Sequence, residues 1–167
     1  PFGPNDVKNA NKGGMSRRAT LIQKLRNENP NTLLLDAGDI FQGTPYFNYF
    51  GGALEFKLMS LLNYDAATIG NHDFDNGIEG LYAQLPHAKF DFISANYDFQ
   101  NTVMNTHVKP YKVFYKGGIK IGVFGLGVEL KGLVNPDAFK ETRYLNPVEI
   151  AQDMSRILKL EEKCDLI

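Results

Sequence analysis

A chain of 167 residues, 43% of them hydrophobic, is long enough to bury one substantial core and too short for two, so one domain is expected. Its 18 basic and 19 acidic residues nearly cancel, and no Lys or Arg run is long enough to engage a DNA or RNA backbone. That excludes nucleic-acid polymers as partners, though not a small phosphorylated ligand.

In chain order, "PFGPNDVKNANKGG" reads as a loop rich in Gly, Pro and Asn, without a signal-peptide pattern. Residues 15–29 place Leu21, Ile22 and Leu25 on one side and Arg17, Arg18, Lys24 and Arg26 around the rest, which fits an amphipathic helix ended before Pro30. "NTLLLDAGD" is a short apolar run of the kind covered on both faces in a parallel sheet. Leu54, Leu58, Leu61 and Leu62 recur at helical spacing over 53–63, and "YDAATIG" is a second buried strand, completing a β-α-β unit. A helix near 77–85 and a strand over 90–96 repeat the pattern. From 108 to 126 two β-rich runs meet at Gly117-Gly118, a hairpin signal. A helix opened by Pro147 closes the series. "CDLI" then begins an apolar run that a strand would continue. No stretch approaches a membrane span. Both ends read as cut, making residues 1–167 part of one domain of a longer chain. The lone Cys164 forms no intrachain disulfide and reads as a small buried residue near a helix end. Alternating strands and helices give an α/β fold with an antiparallel hairpin.

Ligands of α/β sheets collect at the carboxyl ends of strands. Two acidic clusters fall there: "DAGD" and "GNHDFD". If their strands are neighbours, Asp39 comes near Asn71 and His72. A carboxylate can join two cations and an Asn oxygen can bind a hard or borderline metal. His72 can coordinate a metal or hand a proton or hydrogen bond to a reacting oxygen. Asp75 can hold the imidazole N–H if the segment turns helically. Each cluster alone also suits an ordinary turn or helix cap; their coincidence at matching strand ends favours a functional site. Asp36 reads as a capping or supporting hydrogen-bond acceptor, and Asp73 as a helix-start or backbone-bonding residue. Phe47, Tyr49 and Phe50 read as core or interdomain packing ahead of a substrate wall. Arg17 and Arg18 read as a solvated helix face or a structural ion pair ahead of a phosphate contact.

"LLLDAGDIFQGTPYF" and "TIGNHDFDNG", with "GGMSRRA" before and "FISANY" after, resemble the metallo-dependent (calcineurin-like) phosphoesterases from roughly residue 13 onward. More narrowly, they look like the N-terminal catalytic domain of the 5'-nucleotidase group, which includes UDP-sugar hydrolases and 2',3'-cyclic-nucleotide phosphodiesterases. The resemblance implies a four-layer α-β-β-α sandwich, here partial, with two divalent metal ions, Zn, Mn or similar. It implies that Asp39 bridges the metals, that Asn71 binds one, that His72 contacts the phosphoryl group in the transition state, and that Asp75 is the partner of His72. The implied chemistry is in-line attack on phosphorus by a metal-held water. It also implies a C-terminal domain, absent here, that holds the nucleoside, and a periplasmic, cell-surface or secreted location.

The departures limit the expectation. The family's opening Asp-x-His pair is missing: Asp6 of "NDVK" is followed by Lys8 where His should stand, and it reads as loop. The later His ligands are also missing, and His87 and His107, which match no motif, read as surface residues. This chain alone is therefore expected to bind metal weakly or not at all and to be inactive, while the whole protein is expected to be a nucleotide phosphohydrolase. A cyclic-nucleotide phosphodiesterase, a nucleotide-sugar pyrophosphatase and a hydrolase of sulfur compounds stand as alternatives in the same chemistry. A non-catalytic binding or scaffolding relative stands as the alternative of another class. The cost of crowding polar groups argues against that last reading.

Overall fold

The computed structural model describes residues 8, 12–43 and 45–167; Asp6 lies outside them. The chain divides into a unit ending at Thr32 and a second running from Leu33 to Ile167. In the first, Gly14 at φ 90° leads into α1 (Met15–Glu28). The Asn29 N–H closes that helix on the Leu25 carbonyl at 2.8 Å. The apolar stripe forms, yet α1 buries none of its side chains, and Leu21 and Leu25 are exposed.

The second unit runs β1 (Leu35–Asp36), α2 (Pro45–Phe50), α3 (Ala53–Leu61), β2 (Ala66–Ala67), α4 (Gly77–Gln84), β3 (Asp91–Ile93), β4 (Tyr97–Asp98) and β5 (Val108–Lys109). It continues with β6 (Tyr111–Lys116), β7 (Ile119–Phe124), α5 (Pro136–Phe139), β8 (Arg143–Tyr144) and α6 (Pro147–Arg156). β1, β2, β3 and β5 form one parallel sheet in that order. Leu35 pairs with Ala66 and Asp36 with Ala67, so the two acidic clusters end adjacent strands.

Successive residues of a strand face opposite ways, and the core divides accordingly. Ala67 and Phe92 face helices α3 and α4, packing with Phe56, Met59, Ile78 and Leu81. Ala66 and Ile93 face the hairpin, packing with Phe114, Ile121 and Val123. β6 and β7 pair antiparallel around Gly117-Gly118, where φ of 56° and 81° suits glycine. On the hairpin's other side Leu158 and Cys164 lie against Gly122, where an added Cβ would meet Leu158 Cδ2 at 2.8 Å and Cys164 Sγ at 3.0 Å. The order is helix, parallel sheet, hairpin, helix, the α-β-β-α layering the resemblance implies. Leu166 makes an isolated parallel bridge to Ile121 of β7. Each fully buried Phe or Leu contributes about 1.5–3 kcal/mol, and Phe56, Leu81 and Leu158 are all 0% exposed.

One expectation needs correction. Leu35, read as part of a strand covered on both faces, is 43% exposed; β1 is the outermost strand of the sheet among the described residues, where the covering layers reach least. The aromatic cluster divides: Phe47 is buried against Phe41, with ring centroids 5.2 Å apart, whereas Tyr49 is 85% exposed and Phe50 is 53% exposed. A six-residue helix offers the core one face only, and Phe47 takes it. The sequence reading also passes over α2, α5 and the β4–β8 pair, whose two-residue strands are too short to show a period.

Candidate active site

The site grows from two strand-end loops pressed together. After β1, the Asp36 carboxylate accepts the Gly38 N–H at 3.0 Å and tightens the turn. Gly38 at φ 92° and Asp39 at φ 56° then fold the chain back. The left-handed conformation is ordinary for glycine and sparse for Asp. A Cβ on Gly38 would lie 2.6 Å from the Gly70 nitrogen, and one on Gly70 would lie 2.2 Å from Asp39 Oδ1. Only paired glycines let the backbones approach this closely.

After β2, residues His72–Phe74 form a single 3-10 turn that the Asp75 N–H closes on the His72 carbonyl at 3.0 Å. That turn brings Asp75 beneath the imidazole: Asp75 Oδ2 is 3.1 Å from His72 Nδ1. The pairing fixes Nδ1 as the protonated nitrogen facing Asp75 and leaves Nε2 for another partner. The His72 backbone N–H donates to Asp39 Oδ1 at 3.0 Å. Asp39, Asn71, His72 and Asp75 therefore lie on one edge of the sheet, with Asp39 tied to His72 and His72 to Asp75.

Asp73 is 0% exposed. Its carboxylate accepts four backbone N–H groups: Gly70 at 2.8 Å, Ile40 at 2.9 Å, Asp39 at 3.1 Å and Phe41 at 3.2 Å. Burial pushes this carboxyl up to about 6, against the opposing pull of the four N–H donors. This agrees with the reading of Asp73 as a helix-start or backbone-bonding residue: Asn71 occupies the cap position of the 3-10 turn, Asp73 lies in its first turn, and its carboxylate bonds backbone N–H groups. The sequence reading misses Gly38 and Gly70 altogether. The signal was there, since each glycine directly precedes a singled-out residue, Asp39 or Asn71.

The remaining candidates lie elsewhere. His107 is exposed and meets the Tyr82 ring edge-on at 5.2 Å. His87 is half-buried, its carbonyl accepting the Ser60 hydroxyl at 2.9 Å. Within the first unit, the Arg17 guanidinium donates to the Gly13 carbonyl at 3.2 Å.

The donor chemistry can be set against the divalent metals the resemblance implies. One oxygen of Asp39 accepts the His72 N–H, and the carboxylate's second oxygen and the Asn71 amide oxygen are donors suited to hard or borderline cations. They are right in kind. Among the described residues no group of three His, Cys, Asp or Glu joins in a cluster that could hold an ion, so the number falls short of a two-metal centre.

Comparison with known proteins gives a consistent picture. Residues 5–164 match the calcineurin-like phosphoesterase family model. The chain is 43% identical over 136 residues to a snake venom 5'-nucleotidase of Crotalus adamanteus, covering 78% of this chain and 23% of that protein. It superposes on the 5'-nucleotidase precursor from Thermus thermophilus with a TM-score of 0.84 at 34% identity, covering 92% of this chain and 30% of that one. The NAD nucleotidase of Haemophilus influenzae gives 0.82 at 35% identity, covering 90% and 27%. The chain thus spans about a quarter of the length of the curated relatives it matches.

Proposed function

We propose that this chain, which belongs to the calcineurin-like phosphoesterase family, carries half of the active site of a metal-dependent hydrolase that releases phosphate from 5'-nucleotides. One observation carries the reading: at two adjacent strand ends a single constellation links Asp39 to the His72 N–H at 3.0 Å and the His72 imidazole to Asp75 at 3.1 Å. The 5'-nucleotidases among the relatives support the choice of substrate class.

Asp39 and Asn71 would hold divalent ions, Zn²⁺, Mn²⁺ or similar, which when bound supply Lewis acidity toward a phosphoryl oxygen and an acidified water. Other parts of the whole protein supply the remaining ligands and the surface that holds the nucleoside, so the 167-residue chain by itself binds metal weakly and is inactive. His72 acts on the phosphoryl oxygens. With Nδ1–H given to Asp75, a protonated Nε2 donates to an oxygen as negative charge grows there, and the Asp75 carboxylate steadies the imidazolium. The periplasmic, cell-surface or secreted location implied by the resemblance belongs to the same reading. No described helix is long and apolar enough to cross a membrane.

The test is phosphate release by the whole protein from a panel of nucleoside monophosphates, a cyclic nucleotide, a nucleotide sugar and a dinucleotide, with Mn²⁺ or Zn²⁺ and after chelation. Turnover of monophosphates that chelation abolishes and metal restores is expected. Binding of the panel without turnover of any member would replace this reading with the non-catalytic one.

A further inference from the structure

We infer that Asp73 is a positioning residue: its buried carboxylate clamps the loop after β1 to the loop after β2 and so sets the spacing of the Asp39 and Asn71 oxygens. The spacing matters only if those oxygens bind metal, so this step rests on the proposed function; the clamp itself does not.

The β1–β2 ladder ends at Asp36 and Ala67. The Thr68 N–H adds one bond to the Asp36 carbonyl at 3.1 Å, and beyond it no backbone-to-backbone hydrogen bond joins the two loops among the described residues. Asp39 and Asn71 lie past that point. What crosses the gap is side chain to backbone: one bond from the His72 N–H to Asp39 Oδ1, and the bonds converging on Asp73.

The origin of the donors separates a clamp from an ordinary cap. A cap serves the N–H groups of its own helix turn. Three of the four donors to Asp73 come from residues 32 to 34 positions away, on the opposite loop, and the fourth from Gly70 on its own. Each oxygen serves two of them: Oδ1 takes Ile40 and Phe41, Oδ2 takes Asp39 and Gly70. The carboxylate thereby holds Asp39 by its backbone nitrogen while His72 holds it by its side chain. Two fixed points keep a non-glycine residue at φ 56°, a conformation that persists only when its surroundings over-determine it. A fully buried carboxylate is costly, and an apolar side chain would fill the same volume at less cost. What only the carboxylate supplies is acceptance of four N–H groups from two chain segments at once.

The experiment compares the whole protein with Asp73→Asn, which keeps the shape but turns one acceptor oxygen into a donor NH₂, and with Leu158→Ala as a destabilised control remote from the site. Mn²⁺ affinity by calorimetry and the electron paramagnetic signature of bound Mn²⁺ are read in all three. Asp73→Asn is expected to weaken Mn²⁺ binding about 10- to 100-fold and to change the signature, with Leu158→Ala matching wild type. Equal affinity and signature in Asp73→Asn would overturn the inference. Amide exchange of the wild type gives a second reading should the variant fail to fold. The Asp39, Ile40, Phe41 and Gly70 N–H groups are expected to exchange as slowly as those of β2 and β3, and exchange at open-loop rates would overturn it. Loss of Mn²⁺ affinity in a protein that hydrolyses none of the panel would sink the proposed function and leave the clamp standing. Full affinity in an active Asp73→Asn variant would do the reverse.

Discussion

Gly70→Ala is the sharpest perturbation of the loop contact on which the site depends. The new Cβ would lie 2.6 Å from the Asp39 backbone nitrogen and 2.2 Å from its Oδ1, where ordinary contact begins near 3.4 Å. The carboxylate can rotate away; the backbone nitrogen cannot, so the loops must part by about 0.8 Å to reach normal packing distance. Added to the 3.1 Å bond from the Asp39 N–H to Asp73 and the 3.0 Å bond from the His72 N–H to Asp39, both of which cross between the loops, that displacement carries both beyond hydrogen-bonding range. Two hydrogen bonds to charged acceptors at about 1.5–3 kcal/mol each give a loss of about 3–6 kcal/mol. For a domain of this size, at about 2–4 °C per kcal/mol, that is a fall in Tm of about 6–24 °C. Gly132→Ala is the control: φ there is 86° but nothing lies within 4 Å of the added Cβ, leaving only the left-handed strain of about 1–2 kcal/mol. Thermal and urea unfolding of both variants decide the matter. A Gly70→Ala loss no larger than that of Gly132→Ala would refute the close-approach argument.

Other consequences follow from packing and charge. Leu158→Ala empties a fully buried position against Gly122 and should cost about 2–5 kcal/mol in denaturant unfolding; a loss under about 1 kcal/mol would mean that the helix layer does not close on the hairpin. Asp98 is held below its usual carboxyl value, first by the Gln100 N–H and then by the Arg143 guanidinium across the β4–β8 pair. Its contribution is present above the unfolded value of 3.8 and lost as pH falls through the lower folded value. The stability gap between wild type and Asp98→Asn should therefore close below about pH 4, and a gap that stays constant from neutral pH down through that range would contradict this.

Much of the layer order is legible in the sequence because it rests on period. The leucines of 53–63, the apolar run ending in Ile69 and the Gly117-Gly118 hairpin each carry a local signal, and α3, β2 and the β6–β7 turn stand within a few residues of where those signals place them. The site is legible for a different reason: Asp39 and the Asn71–Asp75 segment end strands, and adjacent parallel strands deliver their ends to one edge. What the sequence hides is long-range geometry. That Tyr49 points to solvent while Phe47 is buried depends on which face of a six-residue helix meets the core. That Asp73 bonds across to residues 39–41 depends on two loops meeting, and no spacing within either loop records it.

The most direct measurement compares phosphate release from a nucleoside 5'-monophosphate by the whole protein and its His72→Ala variant, with bound metal counted in each. The backbone N–H that holds Asp39 survives the substitution, so metal content should match wild type. If the imidazole acts on the phosphoryl oxygens as proposed, its loss should lower kcat by about 10²-fold or more. An unchanged kcat at equal metal content would contradict the account, because it would leave the His72–Asp75 pair with no part in the chemistry.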